Sequence, residues 1–430
     1  MESFFVGVWG IVAFFILLAL GLPVAFSLLG VSFVGLTIIL GLKASFSMIT
    51  NLSFNYLSNY TMSVVPLFIF MGVIASVSGI LEESFDVAKK WFGGLKGGLG
   101  FAAITANTIF AAASGSSVSA CVVVGRGAMP AMRKSNYPKD VTAGIIAASG
   151  TIAAVIPPSI LICIYGLIVD ESIGELFIGG IIPGIIEAAS YFVIVSLVIR
   201  NVEVKGLEKN SLVDKIRHTS HLWVVLIVIL AVMGTIYTGV CTPTEAGAIG
   251  AMTVFILSLC LKRLTFDKFK KILKETAKTS CMILFILLAA GAFSRFLLVS
   301  GFTKTLVFAA TEIATNRYTI LILILLCYLF LGCFITAAGM LVISLPLFYP
   351  VVVELGFHPI WFGIISVTLC ETALITPPLG LNAYVTNDLD QEIPLSTVFK
   401  GCSYFLIADI FRLTLDILFP SIILFLPSKM

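Results

Sequence analysis

The stretch SGTIAAVIPPS, residues 149–159, decides how this chain is built. It lies within an apolar run, residues 141–169, that is long enough to cross a bilayer as one helix. Pro157 and Pro158 have no N–H, so the carbonyls four residues before them lose their helical donors. In hydrocarbon such carbonyls are costly unless they are buried in protein or face a wet cavity. The break therefore predicts an ion or substrate site, with a simple packing kink as the alternative.

A second Pro-Pro pair stands in the other half of the chain, in TALITPPLGLN at residues 372–382. An offset of 220 residues relates the two pairs, and it relates other positions as well. The matched positions are Pro23 and Pro243, Gly30 and Gly250, Pro130 and Pro350, Pro157 and Pro377, and Pro158 and Pro378. Four proline matches at one offset indicate an internal repeat of the kind found in secondary transporters.

The composition is typical of a membrane protein. The chain has 430 residues, of which 59% are hydrophobic and 11% charged, and its mean hydropathy is +1.11. These values exclude an ordinary soluble domain and predict an all-α polytopic membrane protein that contacts the lipid bilayer and no nucleic acid. The first 42 residues contain no Lys or Arg, so we interpret residues 1–21 as a retained first span rather than a signal peptide.

No set of residues in the sequence indicates an enzyme or a bound cofactor. The nine cysteines form no CxxC pair and the three histidines form no ligand cluster, so no transition-metal site is expected. The ATP-binding pattern GxxxxGK[ST] does not occur. A membrane-embedded protease would need two aspartates, or a serine with a histidine, at one depth, and we find no such pair.

Hydropathy divides the chain into full spans and two shorter, interrupted segments. The spans lie near 3–20, 23–41, 62–80, 141–169, 173–199, 221–240, 243–261, 277–300, 360–386 and 395–426. Residues 97–132 and 318–353 are apolar but interrupted by small or polar residues, a pattern typical of re-entrant hairpins. The resulting division is a first repeat at 1–200, a linker at 201–220 and a second repeat at 221–430. Each repeat contains one hairpin and one broken helix, near 141–169 and 360–386 respectively.

The charge distribution predicts that the two repeats are inverted. Residues 262–278 contain seven basic and two acidic residues, whereas their counterpart at 42–58 contains only Lys43. By the positive-inside rule the first segment is cytoplasmic and the second is external. The basic linker at 201–220 is also cytoplasmic by this rule, which places the N-terminus outside.

The tip of the first hairpin offers oxygen ligands for a monovalent cation. It reads ASGSSVS at residues 113–119, with several hydroxyls and a glycine that permits unusual backbone geometry. The carbonyls freed by the first Pro-Pro pair add oxygens, and the second half supplies a related, less polar set. The candidate cation ligands are Ser114, Gly115, Ser116, Ser117, Gly150, Thr151, Ala153, Ala154, Thr336, Gly339, Ala373, Thr376 and Gly380. The alternative is a packing face of small residues.

The same breaks provide places for an anionic substrate. Half-helix N-termini carry partial positive charge, which suits a carboxylate. The candidate substrate contacts are Ser116, Pro157, Pro158, Pro377, Pro378, Asn382 and Arg126, with Arg295 as a second basic candidate.

The acidic residues within or near the spans need separate interpretations. Glu371 lies inside a span, where either a functional role or a structural hydrogen bond to a neighbouring helix is expected. The sequence TPTE at residues 242–245 predicts a capping box at a helix start. Asp409 and Asp416 stand near Arg412 on one predicted helix, which indicates a local ion pair.

Five stretches of the chain resemble one known family. They are SGSSVSA (114–120), SNYPKDVTAGIIAASGTIAAVIPPSI (135–160), ESIGELFIGGIIPGI (171–185), GVCTPTEAGAIGA (239–251) and LITPPLGLNAYV (374–385). In this order they resemble the large membrane subunit of TRAP (tripartite ATP-independent periplasmic) transporters, the DctM/SiaM type. Where this family often has an Asp after an apolar residue in the second hairpin, this chain has Ile335-Thr336.

The resemblance implies an ion-transporter-superfamily elevator fold in a bacterial inner membrane. It implies sodium as the coupling ion, with no other cofactor, and an organic acid such as a C4-dicarboxylate or sialic acid as the substrate. It also implies two partners: a small four-helix membrane subunit of the DctQ/SiaQ type, which is not fused to this chain, and a periplasmic substrate-binding protein of the DctP/SiaP type. The alternatives are a stand-alone sodium/carboxylate symporter of the same superfamily and a simple channel, the latter disfavoured by the inverted repeats.

Overall fold

A computed structural model describes residues 2–81, 83–204, 211–313, 316–332, 334–378 and 380–429. Within these ranges the chain is helical. The helices of the first half are α1 (Glu2–Ala19), α2 (Val24–Leu40), α3 (Leu42–Ser58), α4 (Val64–Val77), α5 (Glu83–Phe92), α6 (Gly98–Ser114), α7 (Ser117–Lys134), α8 (Lys139–Val155), α9 (Ile160–Val169) and α10 (Ile173–Ile199). Part of the predicted linker, residues 205–210, lies outside the described residues.

The second half continues in the same manner. Its helices are α11 (Leu212–Thr219), α12 (Trp223–Ile229), α13 (Thr235–Tyr237), α14 (Pro243–Cys260), α15 (Phe266–Val299), α16 (Phe302–Ile313), α17 (Arg317–Gly332), α18 (Ala337–Glu354), α19 (Pro359–Ala373), α20 (Leu381–Leu389), α21 (Leu395–Leu418) and α22 (Ser421–Leu424). A π-helical turn at Leu230–Gly234 joins α12 to α13.

The prediction of an all-α polytopic membrane protein is confirmed. Within the described ranges, six helical segments are long and apolar enough to cross a membrane, or up to nine if each bent pair is counted as one span. One of these bent pairs is α8 with α9, whose axes differ by 42° across the first Pro-Pro pair. The predicted break at this position is therefore a change of helix direction.

Helix boundaries also recur at an offset of about 220 residues. The hairpin helices α7 and α18 begin at Ser117 and Ala337, and the following helices α8 and α19 begin at Lys139 and Pro359. Both Pro-Pro peptide bonds are cis. The membrane orientation of the two halves, and the re-entrant nature of the hairpins, stay predictions.

The capping box predicted at residues 242–245 is confirmed. The Thr242 side chain accepts from the Glu245 N–H, and the Glu245 carboxylate accepts from the Thr242 N–H at 2.8 Å. Pro243 occupies the first turn of α14, where its missing N–H costs no hydrogen bond. Glu245 thus starts a helix, and its side chain is exposed.

The strongly basic segment of the second half is helical from Phe266 onward. It forms the first third of α15, which continues without interruption to Val299. The first half has two helices in the equivalent region, α3 and α4, separated by a turn at Asn59. Asn59 caps that turn by accepting from the Thr61 N–H at 2.9 Å, which ends α3.

We expect the exposed residues Ser47 on α3 and Lys270 on α15 to face opposite sides of the membrane. The reason is the charge contrast between their segments, since basic segments stay cytoplasmic. Single cysteines placed at these positions, in a background cleared of native cysteines, should react with an impermeant maleimide from opposite sides. Reaction of both from one side would contradict the inverted orientation.

Candidate functional site

The tip of the first hairpin is built so that it touches the first Pro-Pro break. Helix α6 ends at Ser114, and Gly115 adopts φ +61°, with its N–H donating to the Ala111 carbonyl at 3.1 Å. A Cβ atom on Gly115 would lie 2.5 Å from the Pro158 carbonyl oxygen. Glycine is therefore required here both for the left-handed backbone and for the close approach. Ser116 then caps α7 by accepting from the Ser119 N–H.

The first break leaves two carbonyls without hydrogen-bond donors. Helix α8 ends at Val155, and α9 begins after Ser159, whose side chain accepts from the Ile162 N–H at 3.3 Å. Within the described ranges, the carbonyls of Ala153 and Ala154 accept no hydrogen bond. Both alanines are fully enclosed, as are the two prolines that deny them donors. These oxygens are available to a ligand, as the sequence predicts.

A carboxylate from the second half meets the first hairpin tip. Ser117 at the start of α7 donates its hydroxyl to Glu371 Oε1 on α19 at 3.1 Å. Glu371 is only 2% exposed, and its other carboxylate oxygen has no hydrogen-bond partner in the described part of the chain. The sequence left the role of Glu371 open between function and structure. Its position beside the tip associates it with the predicted cation site.

Asn382 of the second half also reaches the first half. Its side-chain nitrogen donates to the Ala147 carbonyl at 3.3 Å, and its side-chain oxygen has no partner among the described residues. Gly150 makes this approach possible, because a Cβ there would lie 3.0 Å from the Ser117 carbonyl oxygen and 3.5 Å from the Asn382 side-chain nitrogen. The predicted residues Ser117, Gly150 and Asn382 therefore come together with Glu371.

Sequence reasoning missed one buried amide in this region. Asn107 on α6 is fully buried and donates to the Ser149 hydroxyl at 2.6 Å, while its side-chain oxygen has no partner in the described ranges. An asparagine within an apolar hairpin helix is itself a signal, because a polar side chain in a span is rare without a partner.

The second break is closed by hydrogen bonds of its own. The Ala373 carbonyl accepts from the Thr376 N–H at 3.2 Å, and the Leu374 carbonyl accepts from the Asn382 N–H at 3.0 Å. The Thr376 hydroxyl donates to the Thr372 carbonyl at 2.7 Å. Gly380 has φ +44° and starts α20. The carbonyl predicted as a ligand at Ala373 is therefore already used, unlike its counterparts in the first half.

The two Pro-Pro pairs also differ in exposure. Pro157 and Pro158 are buried, whereas Pro377 and Pro378 are exposed. The carbonyl-rich break of the first half is thus enclosed by protein, and that of the second half lies at the surface of this chain.

The second hairpin tip lacks the hydroxyl that marks the first. Thr336 is exposed, and its side chain makes no capping hydrogen bond at the start of α18. The position equivalent to Ser117 is Ala337, which has no oxygen to offer. Gly339 stays close to this threonine, since a Cβ there would lie 3.3 Å from the Thr336 hydroxyl oxygen. The offset of 220 thus conserves the turn but not its chemistry.

The two basic candidates lie away from the first hairpin tip. Arg126 is exposed on α7, nine residues beyond Ser117, which corresponds to about 13 Å along a helix. Arg295 is exposed on α15 and lines a cavity with Tyr56 and Asn51 of α3. The structure does not bring either guanidinium to the site around Ser117.

Thr151 belongs to a separate polar cluster behind the first break. Its hydroxyl donates to the Ala148 carbonyl at 2.6 Å and lies 3.0 Å from Glu187 Oε1 on α10. The whole group, which we name the Arg412 cluster, consists of Thr151, Glu187, Tyr191, Asp409, Arg412 and Asp416. The Thr151 hydroxyl therefore faces away from the hairpin tip that the sequence paired with it.

The ion pair predicted within α21 is wrong in its main partner. Arg412 contacts Glu187 of α10 at 3.0 Å and Asp416 at the longer distance of 3.7 Å. Asp409 instead accepts from the Tyr191 hydroxyl at 2.6 Å. Glu187 could not be paired from the sequence, because its contact with Arg412 depends on how α10 packs against α21.

The site around Ser117 has the chemistry of a monovalent-cation site. It combines a carboxylate, hydroxyls and free carbonyls, which are the oxygen ligands that hard cations prefer. Half-helix C-termini such as that of α8 add negative potential from their aligned dipoles. An arrangement of this kind at a helix break is typical of ion-coupled transporters.

Comparisons with known proteins identify the family. Residues 11–422 match the family model "Tripartite ATP-independent periplasmic transporter, DctM component". The chain is 32% identical over 372 residues to the C4-dicarboxylate TRAP transporter large permease protein DctM of Pseudomonas aeruginosa, covering 86% of this chain and 87% of that protein. It is 30% identical over 413 residues to the sialic acid TRAP transporter large permease protein SiaM of Vibrio cholerae, covering 96% of each.

The fold is similar to that of a solved transporter. The YdaH transporter of Alcanivorax borkumensis superposes with a TM-score of 0.63 at 14% identity, covering 89% of each chain. At this identity the likeness concerns the fold alone. The family match covers nearly the whole chain, and the relatives that carry it are transporter permeases. The chain therefore belongs to the DctM family, the large permease subunits of TRAP transporters.

Proposed function

We propose that this chain is the permease subunit of a sodium-driven TRAP transporter that imports an organic acid. We further propose that sodium binds where Ser117 and the Ala153 and Ala154 carbonyls approach Glu371. The observation that carries this proposal is the Ser117–Glu371 hydrogen bond, at 3.1 Å, between a hairpin tip of one half and a helix of the other. The second carboxylate oxygen of Glu371 has no partner in the described ranges, which leaves it available to a cation.

The site joins the two halves, and this supports coupling between ion binding and conformation. A cation held by ligands of both halves stabilises only those conformations in which the ligands meet. An elevator movement of the hairpins and broken helices would make and break such a site. Ser114 and Ser116 at the same tip are further candidate ligands by position.

The substrate class is proposed from the relatives and from the helix ends at the site. The relatives are named for a C4-dicarboxylate and for sialic acid, both of which are carboxylates. The N-termini of α7 and α9, which meet at Gly115 and the first break, supply partial positive charge for an anion. Asn382, with its unpaired side-chain oxygen, is positioned to accept a hydrogen bond from a substrate hydroxyl.

The partners are proposed from the family. A small four-helix membrane subunit would complete the permease, and a periplasmic binding protein would deliver the acid. The location proposed is the inner membrane of a bacterium, with the N-terminus outside.

Sodium dependence can be tested before the substrate is known. A ligand that binds only the folded protein raises its melting temperature, so sodium chloride should stabilise the purified chain more than potassium chloride at equal concentration. Ser117→Ala should lose most of this difference, since it removes a ligand and a partner of Glu371. Ser47→Ala, on exposed α3, is the matched control and should keep it. Equal stabilisation by both salts in the unmodified chain would contradict sodium binding.

Uptake then tests the remaining parts of the proposal. Proteoliposomes with both partners and an inward sodium gradient should accumulate a labelled C4-dicarboxylate or sialic acid, and a proton gradient alone should not suffice. Accumulation without the binding protein would favour the stand-alone symporter instead.

A further inference from the structure

The Arg412 cluster contains more acids than its one arginine can neutralise. Its members Glu187, Asp409 and Asp416 are 3%, 4% and 0% exposed, and Arg412 is 0% exposed. Arg412 contacts the first and the last of these acids, at 3.0 and 3.7 Å. Within the described ranges, no lysine or arginine lies within ion-pair distance of Asp409. A buried carboxylate without a cation is very costly and becomes neutral instead.

The hydroxyl protons in the cluster are too few if every acid is ionised. Tyr191 has one hydroxyl proton but lies 2.6 Å from Asp409 Oδ1 and 3.2 Å from Glu187 Oε1. Thr151 has one as well, and its closest acceptor is the Ala148 carbonyl at 2.6 Å. If Tyr191 donates to Asp409, its contact with Glu187 holds no proton and brings two lone pairs together.

One added proton gives each of these contacts a donor. We propose that Asp409 binds a proton in this conformation, so that its carboxylic acid donates to Tyr191 and Tyr191 in turn donates to Glu187. Thr151 then donates to the Ala148 carbonyl, and Arg412 donates to Glu187 and faces Asp416. The proton is taken from solvent, and no other bond forms or breaks.

The groups around Asp409 all favour its neutral form. Helix α8 contributes only the Thr151 hydroxyl from the cluster, while α10 contributes Glu187 and Tyr191. The other titratable neighbours on α21 and α19 are Arg412, Asp416, Cys402 and Glu371, of which only the first is a cation. Helix α20 contacts α21 near Phe399, about 15 Å along the helix from Asp409.

The second oxygen of Asp409 is an independent sign of the neutral acid. It is buried and has no hydrogen-bond partner in the described part of the chain. An ionised carboxylate would leave a full share of negative charge on this unpaired oxygen, whereas the carbonyl oxygen of an acid is much less costly to bury. The proton site lies away from the sodium ligands proposed above, and it does not depend on them.

Infrared spectroscopy of the purified full-length chain at neutral pH tests this assignment. A carboxylic acid has a C=O stretch that a carboxylate lacks, and deuterium exchange shifts it. The wild-type spectrum minus that of Asp409→Asn should contain one such acid band, which moves to lower frequency in heavy water. Asp267→Asn, on the exposed first turn of α15, is the control and should leave the acid region unchanged. A difference spectrum with carboxylate bands in place of the acid band would overturn the proposal.

Tyr191→Phe provides a second test if Asp409→Asn does not fold. The acid would lose the acceptor of its O–H, so its C=O band should shift to higher frequency while remaining present. An acid region that is identical in wild type and Tyr191→Phe would contradict the proposed donation from Asp409.

Discussion

Glu371→Gln is expected to abolish the sodium-specific stabilisation of the purified chain and to reduce sodium-driven uptake at least tenfold. Glutamine keeps the shape of the side chain and an oxygen that can accept from Ser117, so the 3.1 Å contact with Ser117 is retained. It removes the negative charge, however, which is the strongest ligand feature at the site. Hydrogen bonds and contacts that involve a charged group contribute about 1.5–3 kcal/mol, or roughly a tenfold to hundredfold change in sodium affinity.

The measurement is uptake as a function of sodium concentration, together with the melting temperature in sodium and potassium chloride. Glu245→Gln is the matched control, because Glu245 is exposed and caps α14. Its loss should cost about 1 kcal/mol of stability and leave the sodium response intact. If Glu371→Gln responds to sodium as the unmodified chain does, Glu371 is a structural residue and the cation binds elsewhere.

Local features of this fold could be predicted from the sequence because their causes lie within a few residues. Pro157 and Pro158 interrupt hydrogen bonds four residues away, and the capping box at residues 242–245 closes within one turn. Gly115 is similar, since a hairpin tip between two helices needs a residue that can reverse the chain direction. In each case the position in the sequence and the physical reason coincide.

The composition of the site could not be predicted in the same way. Ser117 and Glu371 are 254 residues apart in the chain, and their contact depends on the packing of α7 against α19. Glu187 was missed for the same reason, since its arginine partner lies on α21. The repeat itself misled where chemistry had diverged, because the offset that aligns Ser117 with Ala337 preserves the backbone and not the hydroxyl.

Replacing both Pro157 and Pro158 with alanine is expected to reduce uptake at least tenfold in a chain that still folds. Alanine restores an N–H at each position, and these donors face the carbonyls of Ala153 and Ala154, which accept nothing now within the described ranges. The helix can then continue through the break, which is favourable in hydrocarbon because it satisfies backbone groups. The same bonds withdraw two oxygens from the cation. A loss of about 1.4 kcal/mol in the rate-limiting step corresponds to a tenfold slower rate.

Pro130→Ala is the matched control for this change. Pro130 lies inside α7, is exposed and is removed from the hairpin tip. The substitution restores a helical N–H there as well, yet no oxygen of the proposed site is affected. Uptake should stay close to that of the unmodified chain. The abundance and melting temperature of all variants should be measured alongside uptake, so that a folding defect is separated from a transport defect.

The double change of Pro377 and Pro378 to alanine should have the smaller effect of the two. The carbonyls that the new N–H groups would meet belong to Ala373 and Leu374, and both already accept hydrogen bonds from Thr376 and Asn382. No free oxygen is withdrawn from a ligand there, and the second hairpin tip offers Ala337 where the first has Ser117. The first break should therefore dominate sodium dependence, and the second should mainly affect how α20 carries Asn382 to the site. Equal losses of uptake in the two double variants, with equal shifts in sodium dependence, would show that both halves bind the ion and that this asymmetry has no functional consequence.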